Sequence, residues 1–147
     1  MKEIIKINSI KSKEKKLTII FHSNRDNLFV YMDKRSLQRV LNNLIDNAIQ
    51  HSYKNSIIEI NVKYLKGEKC CFQIIDNWCG IPENEIAMIF EPSFRASNNK
   101  ENNMNIGLGL TIVKVLLEQH AIDINVESQI NKGTKFYFQV PCMQKKI

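Results

Sequence analysis

The stretch from Asp33 to Ile49 constrains the fold more than any other. Leu37, Val40, Leu41, Leu44, Ile45, Ala48 and Ile49 recur at helical spacing and define one apolar stripe, and Asp33 is placed to cap the start of the helix. A helix with a single apolar face has to bury it against a second layer. The chain supplies one. In "IIEINVKY" (57–64), Ile58, Ile60, Val62 and Tyr64 alternate with Glu59, Asn61 and Lys63, and "CCFQIID" follows the turn "KGE" as the other arm of a hairpin with one wet face. "IDINVES" and "TKFYFQV" flank the turn "INKG" as two more alternating strands. "LTIIF" (17–21) and "LFVYM" (28–32) are short strand candidates that could pair as a ribbon across "HSNRDN", and the first sixteen residues fit either a short helix or a strand. "ENEIAMIF" after Pro82 fits a short helix, residues 91–106 form a long polar loop of the kind used as lids, and residues from about 107 to 120 fit a second helix. This order predicts one α+β domain over residues 1–147. It is a two-layer α/β sandwich whose mixed, largely antiparallel sheet is covered on one face by helices.

A chain of 147 residues can bury roughly 70% of the surface its unfolded form exposes, so no staple is required. Cys70, Cys71, Cys79 and Cys142 form no CxxC pair and have no His at ligand spacing, which argues against zinc and for idle thiols in a reducing cytoplasm. The apolar runs are far shorter than the ~20 residues that span a bilayer, so no membrane contact is expected. The formal charge is +6, but six of the lysines fall in the first sixteen residues without interleaved aromatics, which reads as a solvated, frayed terminus rather than a nucleic-acid face.

Four features carry chemistry. Asn43 and Asn47 are four apart and share a helix face beside the apolar stripe, with Asp46 and Gln50 as a neighbouring pair. Stacked amide oxygens are neutral, hard ligands for a Mg²⁺ that arrives holding phosphates; the same two residues also fit a plain solvent-facing surface. Asp76 shares a strand face with Phe72 and Ile74, so periodicity drives a carboxylate into the core. It needs a partner, either amides of the following turn or an exocyclic amine on a flat ligand. Gly107 and Gly109 open the last helix, where N–H groups favour phosphate oxygens. Arg95 and Lys100 flank the polar loop, as phosphate contacts or as surface charges.

Taken in order, "NNLIDNAIQHS", "DNWCGIP", "IFEPSFR", "NIGLGL" and "KGTKFYFQVP" resemble the N box, first glycine box, F box, second glycine box and closing strand of the ATP-binding catalytic domain of sensor histidine kinases. That family lies in the superfamily shared with gyrase-type ATPases, heat-shock chaperones and mismatch-repair proteins. The resemblance runs from about residue 17 to Pro141 and implies a Bergerat-type nucleotide-binding fold with an ATP lid, using ATP and Mg²⁺. By resemblance, Asn47 coordinates the metal and Asn43 supports the phosphates. Asp76 accepts from the adenine amine, and Gly80 lets backbone approach the base. Phe90, Pro92 and Phe94 anchor the lid, and Gly107 and Gly109 bring helix-end amides to the phosphates. Gln50 stands where relatives carry Lys or Arg and His51 where Tyr often lines the adenine pocket, while Ile81, Leu108, Leu110 and Thr134 complete the ATP-contacting set, with Arg95 and Lys100 at the terminal phosphates.

The implied reaction is transfer of the γ-phosphoryl group to a histidine on a separate dimerisation and phosphoacceptor segment, and through it to a response regulator. Related ATPases place a glutamate about where Asn43 sits, and an amide cannot act as a base at neutral pH, so hydrolysis is expected to be slow. His22, His51 and His120 are followed by Ser, Ser and Ala, and none fits the family's acceptor pattern of His followed by an acidic residue. The acceptor is therefore expected outside these residues, with 1–16 as a residual linker towards it. Two other readings are a degenerate, non-catalytic docking module of the same fold and an anti-sigma-type serine kinase, the latter disfavoured by "FEPSFR". Two departures motivate the first. Trp78 replaces the first glycine of Asp-x-Gly-x-Gly, and Asn105 stands at the first glycine of the second box. If Trp78 takes positive φ, its side chain costs about 1–2 kcal/mol. A place at the pocket rim, with the ring over apolar surface, would leave the site usable.

Overall fold

The computed structural model describes residues 1–97 and 107–145. The helix demanded by the apolar stripe is α2, Lys34–His51, counted after α1 (Lys2–Glu14) and the strands β1 (Thr18–Ser23) and β2 (Leu28–Val30). The Asp33 carboxylate accepts from the Ser36 N–H at 2.8 Å and satisfies one of the open donors of the first turn. Val40, Leu41, Leu44 and Ile45 are fully buried against the sheet. The sheet continues with β3 (Ile57–Leu65) and β4 (Lys69–Asp76); after a 3₁₀ turn (Glu83–Met88) come α3 (Gly109–Glu118), β5 (Ile124–Gln129) and β6 (Gly133–Gln144).

The strand order is β1-β3-β4-β6-β2, with β5 also on β6. β1 runs parallel to β3 and every other pair is antiparallel, as the mixed, largely antiparallel prediction has it. Ile58, Ile60, Phe72, Ile74, Phe136 and Phe138 alternate onto the helix-facing side, and Phe72 and Phe138 stack at 5.2 Å in directly paired positions.

Two expectations are corrected. β1 and β2 form no ribbon: they lie on opposite edges of the sheet, β1 on β3 and β2 on the end of β6. Parallel pairing needs a crossover of a dozen or more residues, and α2 is that crossover, which period-two alternation in β1 alone cannot reveal. The lysine-rich start is not frayed. Residues 2–14 are helical and lie on α2 with Ile4, Asn8 and Ser12 buried. Asn8 Nδ2 donates to Asn42 Oδ1 at 3.0 Å, and Lys11 Nζ meets Asp46 Oδ1 at 2.8 Å. The buried stripe of α1 is two-thirds polar, so hydropathy hides it.

All four cysteines are free thiols. Burial pushes Cys70 up to about 12, so this thiol stays protonated and unreactive. Among the described residues no helix is long and apolar enough to cross a membrane.

Candidate functional site

A cavity of about 390 Å³ opens between α2 and the start of α3. That is within the range of small-molecule sites. Its floor is one face of α2, which presents Asn43, Asn47, Gln50 and His51 at successive turns. The helix holds Asn43 in a defined orientation: Nδ2 donates back to the Arg39 carbonyl at 2.9 Å. Oδ1 is turned towards α3, 3.4 Å from where a Cβ on Gly109 would lie. Gly107, Leu108, Gly109 and Leu110 form the facing wall. Among the described residues no side chain caps α3, whose first turn offers its N–H groups and positive dipole end to a ligand. Gly107 has φ +71°, and a Cβ there would press on the backbone of Ser93 and Phe94, whose segment brings Arg95 to the mouth of the cavity.

The far end is built by β6 and the turn after β4. Trp78 and Ile81 line it, with Thr134 and Phe136 from β6. The Trp78 and His51 rings meet at a centroid distance of 4.3 Å, tilted by 35°. Trp78 is not among the residues with positive φ, so the backbone strain considered from the sequence does not arise. Its ring is half-buried on the cavity wall.

Asp76 is only 2% exposed. Its Oδ1 accepts from the amides of Trp78 (3.0 Å) and Thr134 (3.2 Å). Burial pushes its carboxyl up to about 6, against the pull of those two amides. Asp76 thus takes the turn amides that the sequence offered as one of its two partners. It is not a lining residue of the cavity; it lies behind two that are, Trp78 and Thr134. From its other side it borders a shallower hollow of about 330 Å³ at the β5–β6 turn, lined also by Ser128, Lys132 and Lys135.

Two further predicted residues also stay outside the cavity. Gly80 has φ +80° and a Cβ there would collide with the Gln129 carbonyl, so it is a glycine because the β5–β6 turn crosses it closely, not because it faces the cavity. Phe90 packs edge-on against Phe136 (6.3 Å, 79°), and its carbonyl accepts from Thr111 Oγ1 at 2.8 Å. Lys100 and Asn105 lie outside the described residues.

Several lining residues escaped sequence reasoning. Phe136 is two positions from Thr134 on the same strand face, a signal that was available. Asp46 is also in the wall, one turn from Asn43. Ser128 lines only the shallower hollow yet ties the site together. Its Oγ accepts from the Ile81 amide (2.8 Å), donates to the Gly133 carbonyl (3.1 Å) and lies 2.8 Å from Thr134 Oγ1.

The donor set suits a particular kind of metal ion. Among the described residues no group of three or more His, Cys, Asp or Glu could form a cage. Two neutral amides fit a Mg²⁺ that keeps most of its shell and is carried in on phosphates.

Residues 32–144 match the family model described as histidine kinase-, DNA gyrase B-, and HSP90-like ATPase. The chain is 30% identical over 139 residues to the adaptive-response sensory kinase SasA of Synechocystis sp., covering 95% of this chain and 36% of that protein. It therefore spans about a third of the length of such curated relatives. Among solved structures, the nucleotide-free catalytic domain of histidine kinase ThkA superposes with a TM-score of 0.83 at 26% identity, covering 95% of this chain and 88% of that one. ThkA in complex with the response regulator protein TrrA matches with a TM-score of 0.79 at 26% identity, over 95% of this chain and 38% of that one. Full-length ShkA in complex with AMPPNP shares the fold with a TM-score of 0.85, at 20% identity over 99% of this chain and 30% of that one.

Proposed function

The chain belongs to the histidine kinase-, DNA gyrase B- and HSP90-like ATPase family, and from that premise we propose that it is the ATP-binding catalytic unit of a sensor histidine kinase, passing the γ-phosphoryl group to a histidine on a separate dimerisation and phosphoacceptor segment. The observation that carries this reading is the polar end of the cavity, where Asn43 Oδ1 lies beside the opening of α3 and both line the same cavity of about 390 Å³. The α3 amides and Arg95 take phosphate oxygens, and Asn43 and Asn47 hold the metal-bearing side of the phosphate chain. When bound, Mg²⁺ would neutralise charge on those phosphates. Asp76 fixes the amides of Trp78 and Thr134, and with them the base end of the cavity.

Transfer to a histidine is favoured over hydrolysis by the residues that could serve as a base. Asp46 is the one carboxylate among the described lining residues, and its Oδ1 is engaged by Lys11. Among the described lining residues the only carboxylate is thus held on the α1 side by Lys11, which favours a reaction that depends on positioning an external acceptor. By analogy with the ThkA–TrrA pair, a response regulator is the downstream partner, and the cytoplasm is the expected compartment.

The test is thermal unfolding with and without a Mg²⁺–AMPPNP mixture. Ligand at a hundred times its dissociation constant should stabilise the fold by ~2.7 kcal/mol. An unchanged melting temperature at millimolar AMPPNP would overturn the reading. Transfer of labelled γ-phosphate to a supplied histidine-bearing helical hairpin then tests the kinase step, with release of free phosphate alone as the contrary result.

A further inference from the structure

We propose that Trp78, backed by His51, is the base-selecting element of this cavity, a flat wall against which a two-ring base stacks; the inference rests on the nucleotide reading above and specifies it. The two ends of the cavity differ in chemistry. Asn43 and His51 are eight residues apart on α2, which at 1.5 Å per residue separates them by about 12 Å along the floor. Amides, an uncapped helix start and Arg95 gather at the Asn43 end, and a charged phosphate chain belongs there. At the His51 end the indole and imidazole lie 4.3 Å apart beside Ile81 and Phe136. A flat, weakly polar ring system is what that end can hold.

The indole is also held in place. Its own amide is bound by Asp76 Oδ1 (3.0 Å), the next carbonyl, of Cys79, accepts from Asn131 N–H (2.7 Å), and the Ile81 amide is bound by Ser128 Oγ (2.8 Å). These ties bracket Trp78 on both sides and join its turn to β5 and β6. The ties fix the backbone of the turn and the His51 contact positions the ring on it, so an incoming base gains stacking without ordering a loop. Stacking follows ring area, so adenosine and guanosine nucleotides are favoured over cytidine and uridine nucleotides.

The experiment is calorimetric titration of the chain with Mg²⁺–AMPPNP, with CTP and with inorganic tripolyphosphate, for wild type, Trp78→Phe, Trp78→Leu and Trp78→Gly. Loss of the flat ring in Trp78→Leu and Trp78→Gly should weaken AMPPNP roughly ten- to a hundredfold. Trp78→Phe should retain most of the affinity, and tripolyphosphate should bind all four alike. Because Trp78 is the sole tryptophan, AMPPNP but not tripolyphosphate should quench wild-type fluorescence. Equal AMPPNP affinity in wild type and Trp78→Leu, or tighter binding by Trp78→Gly, overturns the inference while leaving the nucleotide reading intact. Failure of wild type to bind any of the three ligands overturns both.

Discussion

Asp76 keeps an ionisable group in the interior, and Asp76→Asn measures what that costs the fold. The carboxyl is 2% exposed and its folded pKa is raised from 3.8 to about 6, chiefly by burial. That gap, at about 1.4 kcal/mol per decade of proton concentration, means that keeping the carboxylate ionised at pH 7 costs about 3 kcal/mol of stability. The sign follows from proton uptake. Between pH 3.8 and about 6 the folded chain binds this proton and the unfolded chain does not, so wild-type stability falls as pH rises through that window. Asn keeps an Oδ1 for the Trp78 and Thr134 amides and removes the charge. Asp76→Asn should therefore be more stable at pH 7 by up to about 3 kcal/mol, an upper bound because the amide NH₂ is desolvated too. At roughly 3–4 °C per kcal/mol for a chain of this length, the melting temperature should rise by roughly 10 °C. The gain should shrink as pH falls through that window and approach zero below about pH 3, where Asp76 is protonated in both states. Urea denaturation of both proteins from pH 4 to 8 provides the measurement. A variant less stable than wild type at pH 7, or a gap that does not change with pH, would refute the reasoning.

Gly109→Ala places a methyl 3.4 Å from Asn43 Oδ1, an ordinary contact, at a position without positive φ. Its melting temperature should stay within a few degrees of wild type while calorimetry shows AMPPNP affinity falling by at least about tenfold, as the methyl crowds the amides offered to phosphate. Gly80→Ala should lose about 2–4 kcal/mol in denaturant titration, combining the φ penalty with collision against the Gln129 carbonyl. Ser128→Ala strips the Ile81 amide of its acceptor and should cost about 1–3 kcal/mol, with a shift in Trp78 emission as the turn loosens.

The parts legible in the sequence were those written in period. The stripe from Leu37 to Ile49 gave α2, alternation gave the β3–β4 and β5–β6 hairpins, and strand-face counting placed Asp76 in the interior. Asn43, Asn47, Gln50 and His51 share a helix face for the same reason and do converge on the cavity. What stayed hidden depends on partners. Nothing in "LTIIF" says that its neighbour is β3 rather than β2, because alternation reports which side is wet and not which strand lies alongside. The stripe of α1 was missed because Asn8 and Ser12 are buried through hydrogen bonds that reach Asn42 and backbone carbonyls. Gly80 was matched to a motif and assigned to the ligand, yet it is fixed by a turn some fifty residues away in the chain, a close approach that only coordinates reveal.

β6 is paired on both sides. One edge takes β4 from Asp76↔Thr134 to Lys69↔Pro141, and the other takes β5 near its start and β2 at its end. This spine leaves the ribosome after all three of its neighbours. A nascent chain can close the β3–β4 hairpin early, but β2 and β4 wait with open edges until residues 133–144 emerge, and every contact of that seam spans a large sequence separation. The last dozen residues of the sheet thus set the moment at which the whole domain can lock, and until then its bare strands are exposed to pairing with other chains.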